Sequence, residues 1–183
     1  LIQQNGELYY FLTDEEQEIN REIKLVPVDE RDIVEKAGKD VFDEVYVSPK
    51  YSYSKLYIYP FKKQIDGILI SQPVNELTIQ LLTPYANEYS EDIEIIKMQS
   101  LDSGTLIVKL PDNGFLDEIK EFLRLEKYLK QRISMKNADN VQKILDDKGR
   151  ELTQRKTRAG NLLRQAVSEA DLFACGDHLE VKT

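Results

Sequence analysis

The hydrophobic repeat of this chain changes twice, and that change limits the fold more than any other feature. Between Glu30 and Glu44 the apolar residues Ile33, Val34, Ala37 and Val41 recur at helical spacing, with Val45 just beyond them. Such a repeat puts them on one side of a helix. Over the next third of the chain the repeat shortens to two. It is clearest at 76–83, where Leu77, Ile79 and Leu81 fall on one face of a strand. From Phe115 onward the spacing is helical again. This order predicts an α+β fold: a small sheet, antiparallel or mixed, with helices packed on it and a long helical segment behind it.

Local signals place the elements. Residues 1–4 and 7–12 flank Asn5-Gly6, a pair suited to the positive φ angles of a type I′ hairpin turn. Thr13 reads as a helix N-cap, with Glu16 at the capping-box position and Ile19 and Ile23 on the buried side. A hairpin running into a helix fits either the exit of a winged-helix unit or an ordinary hairpin–helix corner. Asp29 can cap the helix at 30–44. Residues 45–47 read as a short strand and 50–55 as a loop. Residues 56–61 read as a strand whose Pro60 belongs at an edge. The stretch 67–71 extends the sheet or begins a connection, and 84–91 is a polar break. Residues 92–98 and 105–110 read as two strands paired across Asp102-Ser103-Gly104. A helix is predicted over 115–133, with Ile119, Phe122, Leu123, Leu129 and Ile133 on its apolar side. A second begins at 137–139 and runs to about Leu172, with a bend or break near Gly149. Residues 173–175 and 179–181 close the chain as a hairpin. The implied units are 1–26 (hairpin and helix), 27–134 (α+β) and 135–183 (long helix and terminal hairpin).

Composition excludes several function classes. The net charge is −8, spread unevenly. Residues 1–60 hold seven Lys/Arg against thirteen Asp/Glu, 61–116 four against eight, and 117–183 fourteen against twelve. An acidic chain is a poor dedicated nucleic-acid binder, because phosphate neutralisation supplies most non-specific affinity. Only the last third leaves room for such contact. One cysteine, Cys175, and one histidine, His178, leave no internal disulfide and no zinc constellation. The lone cysteine fits a reducing compartment. No run approaches the roughly 18 apolar residues of a membrane helix, and no signal peptide opens the chain. A start at Leu1, already in strand-like sequence, suggests a cytoplasmic piece cut from something longer.

Catalytic patterns are missing. The eight glycines form neither Gly-x-x-x-x-Gly-Lys-Ser/Thr nor Gly-x-Gly-x-x-Gly. Asp112, Asp117 and Glu118 sit where a helix begins and read as capping groups, and Asp146-Asp147 as a solvated pair. No catalytic, cofactor-binding or metal-ligating residue is assigned. Two surfaces remain as candidates. Five of the ten tyrosines fall between Tyr46 and Tyr59. Tyrosine supplies large amphipathic contact area at low entropic cost, which makes Tyr51, Tyr53 and Tyr57 the candidate partner contacts. The basic residues Arg155, Lys156 and Arg158 are the candidate nucleic-acid contacts. Against that reading, Glu151 stands four residues before Arg155, the spacing of an ordinary ion-paired helix.

Residues 1–23 (LIQQNGELYYFLTDEEQEINREI) resemble a segment of the BrxC/PglY family, the large P-loop ATPases of bacterial BREX phage-defence systems. The helical run 115–129 (FLDEIKEFLRLEKYL) resembles a later segment of the same family. The resemblance implies a cytoplasmic AAA-like parent ATPase that acts with a DNA methyltransferase and other BREX subunits and self-associates through its ATPase module. ATP and magnesium are implied for that parent alone, since its phosphate-binding loop lies outside this chain. The segment then reads as a non-catalytic assembly module for partner subunits, with DNA contact through the C-terminal helix as the alternative.

Overall fold

Antiparallel neighbours can be joined by a turn, whereas parallel neighbours need a crossover; this chain uses both. The computed structural model describes residues 2–5, 8–11, 13–52, 54–71, 77–102, 104–132 and 139–179, with side chains from Thr13 on. The elements run β1 (Ile2–Asn5), β2 (Leu8–Phe11), α1 (Asp14–Leu25), α2 (Glu30–Glu44), β3 (Lys50–Ser52), β4 (Ile58–Ile65) and β5 (Ile68–Leu69). They continue with β6 (Leu77–Leu82), α3 (Ile93–Gln99), β7 (Thr105–Lys109), α4 (Phe115–Arg132), α5 (Asp139–Ser168), β8 (Asp171–Ala174) and β9 (Asp177–Leu179). β1 and β2 form a two-stranded sheet of their own. The other strands form one mixed sheet in the order β3-β4-β6-β7-β8-β9, with β5 folded back onto β4.

The centre of the sheet is parallel. β6 pairs with β4 and with β7, and the registers align Ile65 with Leu81 and Leu81 with Val108. These residues share one face, and all three are fully buried. α2, α4 and α5 cover that face through Ile33, Ala37, Val41, Phe115, Ile119 and Leu163, among others. On the opposite face Leu82, Ile107 and Phe173 pack with Ala86 and with Ile96 of α3. The helix α2 reaches the sheet closely at Gly38, where a Cβ would stand 2.7 Å from the side chain of the buried Ile65.

The α+β class, the mixed sheet and the long C-terminal helix hold, while several elements within them differ. The strand expected over 92–98 is instead the helix α3 (Ile93–Gln99), capped by Asp92. The alternation of these residues suits either state, but the Asp92 side chain accepts from the Glu94 N–H, and the parallel β6–β7 pair needs a crossover there. β7 therefore pairs with β6 and β8 and not with 92–98. Residues 45–47 are not a strand, and the predicted loop at 50–55 contains β3. The strand predicted at 56–61 starts at Ile58 and continues to Ile65, because Asp66-Gly67 makes the next turn. Asp66 and Gly67 have φ of 45° and 76°, a two-residue turn between the paired Ile65 and Ile68. α5 runs unbroken through Gly149, whose Cα faces open space, and ends at Ser168 rather than near Leu172. In the first hairpin Asn5 pairs with Leu8, so Asn5 ends a strand instead of opening the turn. Ile133 and the predicted helix start at 137–138 lie outside the described residues.

Thr13 caps α1 in a complete capping box with Glu16, as the spacing predicts. Asp29 precedes α2 without a side-chain cap bond. α1 docks through Ile19, Ile23 and Val26 against Leu125 and Tyr128 of α4 and Leu145 of α5. The last part of the chain supplies α5 to the main core and β8 to the main sheet.

A polar clasp closes the α1–α4 contact. The Tyr128 hydroxyl donates to Glu22 Oε2 at 2.6 Å, the Arg132 guanidinium bonds the same carboxylate, and Arg132 Nε donates to the Tyr128 oxygen at 3.1 Å. The bonds from Tyr128 and then Arg132 hold the Glu22 carboxyl below the usual range. Burial, then the bond to Glu22, pushes the Tyr128 phenol up to about 12. A carboxyl with a depressed folded pKa stabilises the fold above its unfolded value, about 4.3 for Glu. That stability is lost as pH falls through the folded value. Urea unfolding of the wild type should therefore weaken below about pH 4.3 more steeply than that of Glu22→Gln; equal slopes in the two proteins would show that the clasp contributes nothing.

Candidate interaction surface

β4 is longer than the strand beside it. Its residues Phe61 to Ile65 pair with β6, but Ile58, Tyr59 and Pro60 pair only with β3. The two strands thus leave the sheet as a narrow ribbon. Pro60 fits there because the Phe61 N–H donates to the Pro49 carbonyl at 2.9 Å. Backbone groups alternate in direction along a strand, so the nitrogen of Pro60 faces away from β3, and β6 begins its pairing only at Phe61. No ladder bond is lost. Ser54 shapes the ribbon's tip: its Oγ accepts from the N–H groups of Leu56 and Tyr57, both at 3.3 Å.

The ribbon presents apolar side chains to solvent. At its tip Leu56 is 87% and Tyr57 57% exposed, on its strands Tyr51 is 52% and Ile58 48%, and at its base Val47 is 60%. Single exposed apolar residues are ordinary, but a contiguous group is the mark of a contact site. An apolar groove of about 400 Å³ adjoins the ribbon's base, lined by Tyr46, Phe61, Leu77, Ile79, Leu106 and Ala174. Ser48, Thr78, Thr105 and Cys175 add polar groups to its lining. None of the lining residues belongs to a helix, so the helical layer stops short of this end of the sheet. Lys63 holds the backbone of Tyr46, one of the lining residues. Its ammonium donates to the Tyr46 carbonyl at 2.6 Å and stands 5.3 Å from the centre of the Phe42 ring. Burial pushes its pKa down, with Asp43 acting in the opposite direction.

Of the three candidate tyrosines, Tyr51 lies on β3 and Tyr57 at the ribbon tip, both exposed. Tyr53 lies outside the described residues. Between Glu44 and Asp66 there is no acidic residue, while Lys50, Lys55, Lys62 and Lys63 all occur there, in a chain of net charge −8. The signal is plain in the sequence once 45–65 is known to be one structural unit.

The basic residues of α5 are arranged differently. Arg155 donates from Nε to Glu151 at 2.9 Å and from Nη1 to Glu118 of α4 at 3.2 Å. Arg158 also approaches Glu118, at 3.8 Å, and Lys148 pairs with Glu151 at 2.7 Å. Lys156 is exposed. A shallow depression along α5 is lined by Gln154, Thr157, Arg158, Asn161 and Gln165, with Arg158 its one cation. Arg155 is thus a tie between two helices.

Other polar groups have structural partners. Asp66 accepts from the Thr83 N–H at 2.8 Å and the Thr83 hydroxyl at 2.5 Å, tying the β4–β5 turn to the end of β6. Burial pushes its carboxyl up, offset by these bonds. His178 stacks on Phe173 and bonds Asp171 at 3.1 Å. Among the described residues no group of three or more His, Cys, Asp or Glu is placed to hold a metal ion, and no helix is long and apolar enough to cross a membrane. Arg155→Ala strips the half-buried Glu118 and Glu151 of a partner. It should cost about 1–3 kcal/mol in chemical denaturation, whereas Lys156→Ala should stay within about 0.5 kcal/mol; equal effects would contradict the helix tie.

A family model described as the BREX ATP-binding protein BrxC 4th domain with six-stranded beta sheet matches residues 26–183. That match includes the helical run 115–129 and leaves out 1–23. The six strands of its description agree with the path β3-β4-β6-β7-β8-β9. No solved structure matches the chain. With most of its length matched, the chain belongs to the family of BrxC fourth domains, from the ATP-binding protein of the BREX phage-defence systems.

Proposed function

We propose that this domain is a non-catalytic assembly element that couples the ATPase module of its parent to partner subunits of the same defence system. The observation that carries this reading is the β3–β4 ribbon, a projection with exposed Tyr51, Leu56, Tyr57 and Ile58 and no acidic residue. A protein that works alone gains nothing from holding such a group in solvent. The rest of the molecule supports a scaffolding role. Its helices and sheet are joined by ordinary cores, and its buried or half-buried polar clusters serve as clasps between elements. ATP and magnesium are assigned to the parent's nucleotide-binding module, outside this segment.

The test is retention of the other BREX subunits by the tagged domain, with and without DNA. The triple variant Tyr51→Ser, Leu56→Ser, Tyr57→Ser changes only exposed side chains and should unfold at the same temperature as the wild type. It should retain at least about tenfold less partner, since aromatic anchors dominate interface energetics. Unchanged retention would remove the ribbon from the contact, and retention of DNA alone would move the role to α5.

A further inference from the structure

We infer that the occupant of this surface is an extended protein segment alternating acidic and apolar residues, added as a strand to the outer edge of β3. This deepens the assembly reading above and rests on it.

The edge is open. β3 is the terminal strand of the sheet and no described strand pairs with its outer side. Because the Phe61 N–H donates to the Pro49 carbonyl, Pro49 faces β4 and the backbone groups of the alternate residues Lys50 and Ser52 point outward. The Lys50 carbonyl already accepts from the Ser48 hydroxyl at 2.7 Å, so the edge offers its second lone pair together with the outward groups of Ser52 and the Lys50 N–H. An added strand takes its affinity from main-chain bonds and its specificity from alternate side chains. One set of those side chains would meet the face of the exposed Lys50, and the other the face of Tyr51, which continues through Tyr59 to Phe61 and the groove beside it, with the exposed Lys55 at the ribbon's end.

Charge selects the partner. The ribbon has lysines and no carboxylate, so an acidic segment is attracted and a basic one repelled. A second copy pairing through the same edge would bring two lysine-bearing strands together. Lys50, Lys55, Tyr51 and Tyr57 offer cations and stacking planes to a single nucleic-acid strand as well, but the exposed aliphatic Leu56, Val47 and Ile58 and the acidity of the whole chain favour a protein segment. Exposed lysines on an edge strand also hinder indiscriminate strand pairing, which leaves a matched acidic segment as the permitted guest.

The experiment uses the intact domain and fluorescent synthetic peptides, read by anisotropy. The first probe alternates glutamate with valine. The second has glutamine for glutamate, the third lysine for glutamate, and the fourth is the acidic peptide N-methylated along one edge. The acidic peptide should bind at least about tenfold more tightly than the basic one, with the neutral peptide between them. N-methylation should abolish binding, and Lys50→Glu with Lys55→Glu should reverse the charge preference. Equal binding of acidic and basic peptides, or a preference for a single-stranded oligonucleotide, overturns the inference. If no peptide binds while BREX subunits are still retained through the ribbon, strand addition is wrong and the assembly reading stands. If subunit retention also fails, the assembly reading falls with it.

Discussion

Everything exposed in this domain depends on how β4 is held. Its second half is the buried edge of the parallel core, where Ile65 lies against Leu81 and under α2. Its first half leaves that core and carries β3 outward. A two-stranded ribbon alone is marginal in water. Here one of its strands is continuous with a sheet clamped by helices on one face and by α3 on part of the other. The apolar tip is therefore a short connection between two paired strands, one of them anchored in the core, and a contact made there loses less entropy than one made by a long free loop.

The same logic divides the charges of the molecule. Most ion pairs lie within or between helices: Arg155 with Glu151 and Glu118, Lys127 with Asp32, Arg164 with Glu44. Several of these cations are thereby engaged in holding α5, α4 and α2 together. On the ribbon the situation reverses, since Lys50 and Lys55 have no acidic neighbour in sequence. A basic surface on an acidic chain arises from the distribution of residues, even though the total charge points the other way.

Much of the fold was legible in the sequence, and the exceptions have physical reasons. α1, α2 and α4 were readable because a stripe such as Ile33, Val34, Ala37 and Val41 has one interpretation, and because Thr13 and Glu16 form a local cap. The helix α3 was not, since Asp-Ile-Glu-Ile satisfies both periods and the decision lies in the crossover between β6 and β7. β3 was hidden because Lys-Tyr-Ser has no apolar alternation, and only pairing with β4 makes it a strand. The break expected at Gly149 did not occur; neighbouring turns offset a glycine cost of about 1 kcal/mol in one long helix. As for the sites, the density of tyrosines pointed to the ribbon, while its edge geometry and groove are tertiary. The spacing of Glu151 and Arg155 was visible in the sequence, but the link from Arg155 to Glu118 across two helices was not.

The central claim is that partners meet this domain at the ribbon. Hydrogen–deuterium exchange on the full-length parent, alone and with its BREX partner subunits, tests it most directly. The account predicts that partners slow exchange over residues 48–61, strongest at the outward amides of Lys50 and Ser52, and leave α5 around Arg155 unchanged. New protection along α5 with none over 48–61 would contradict it.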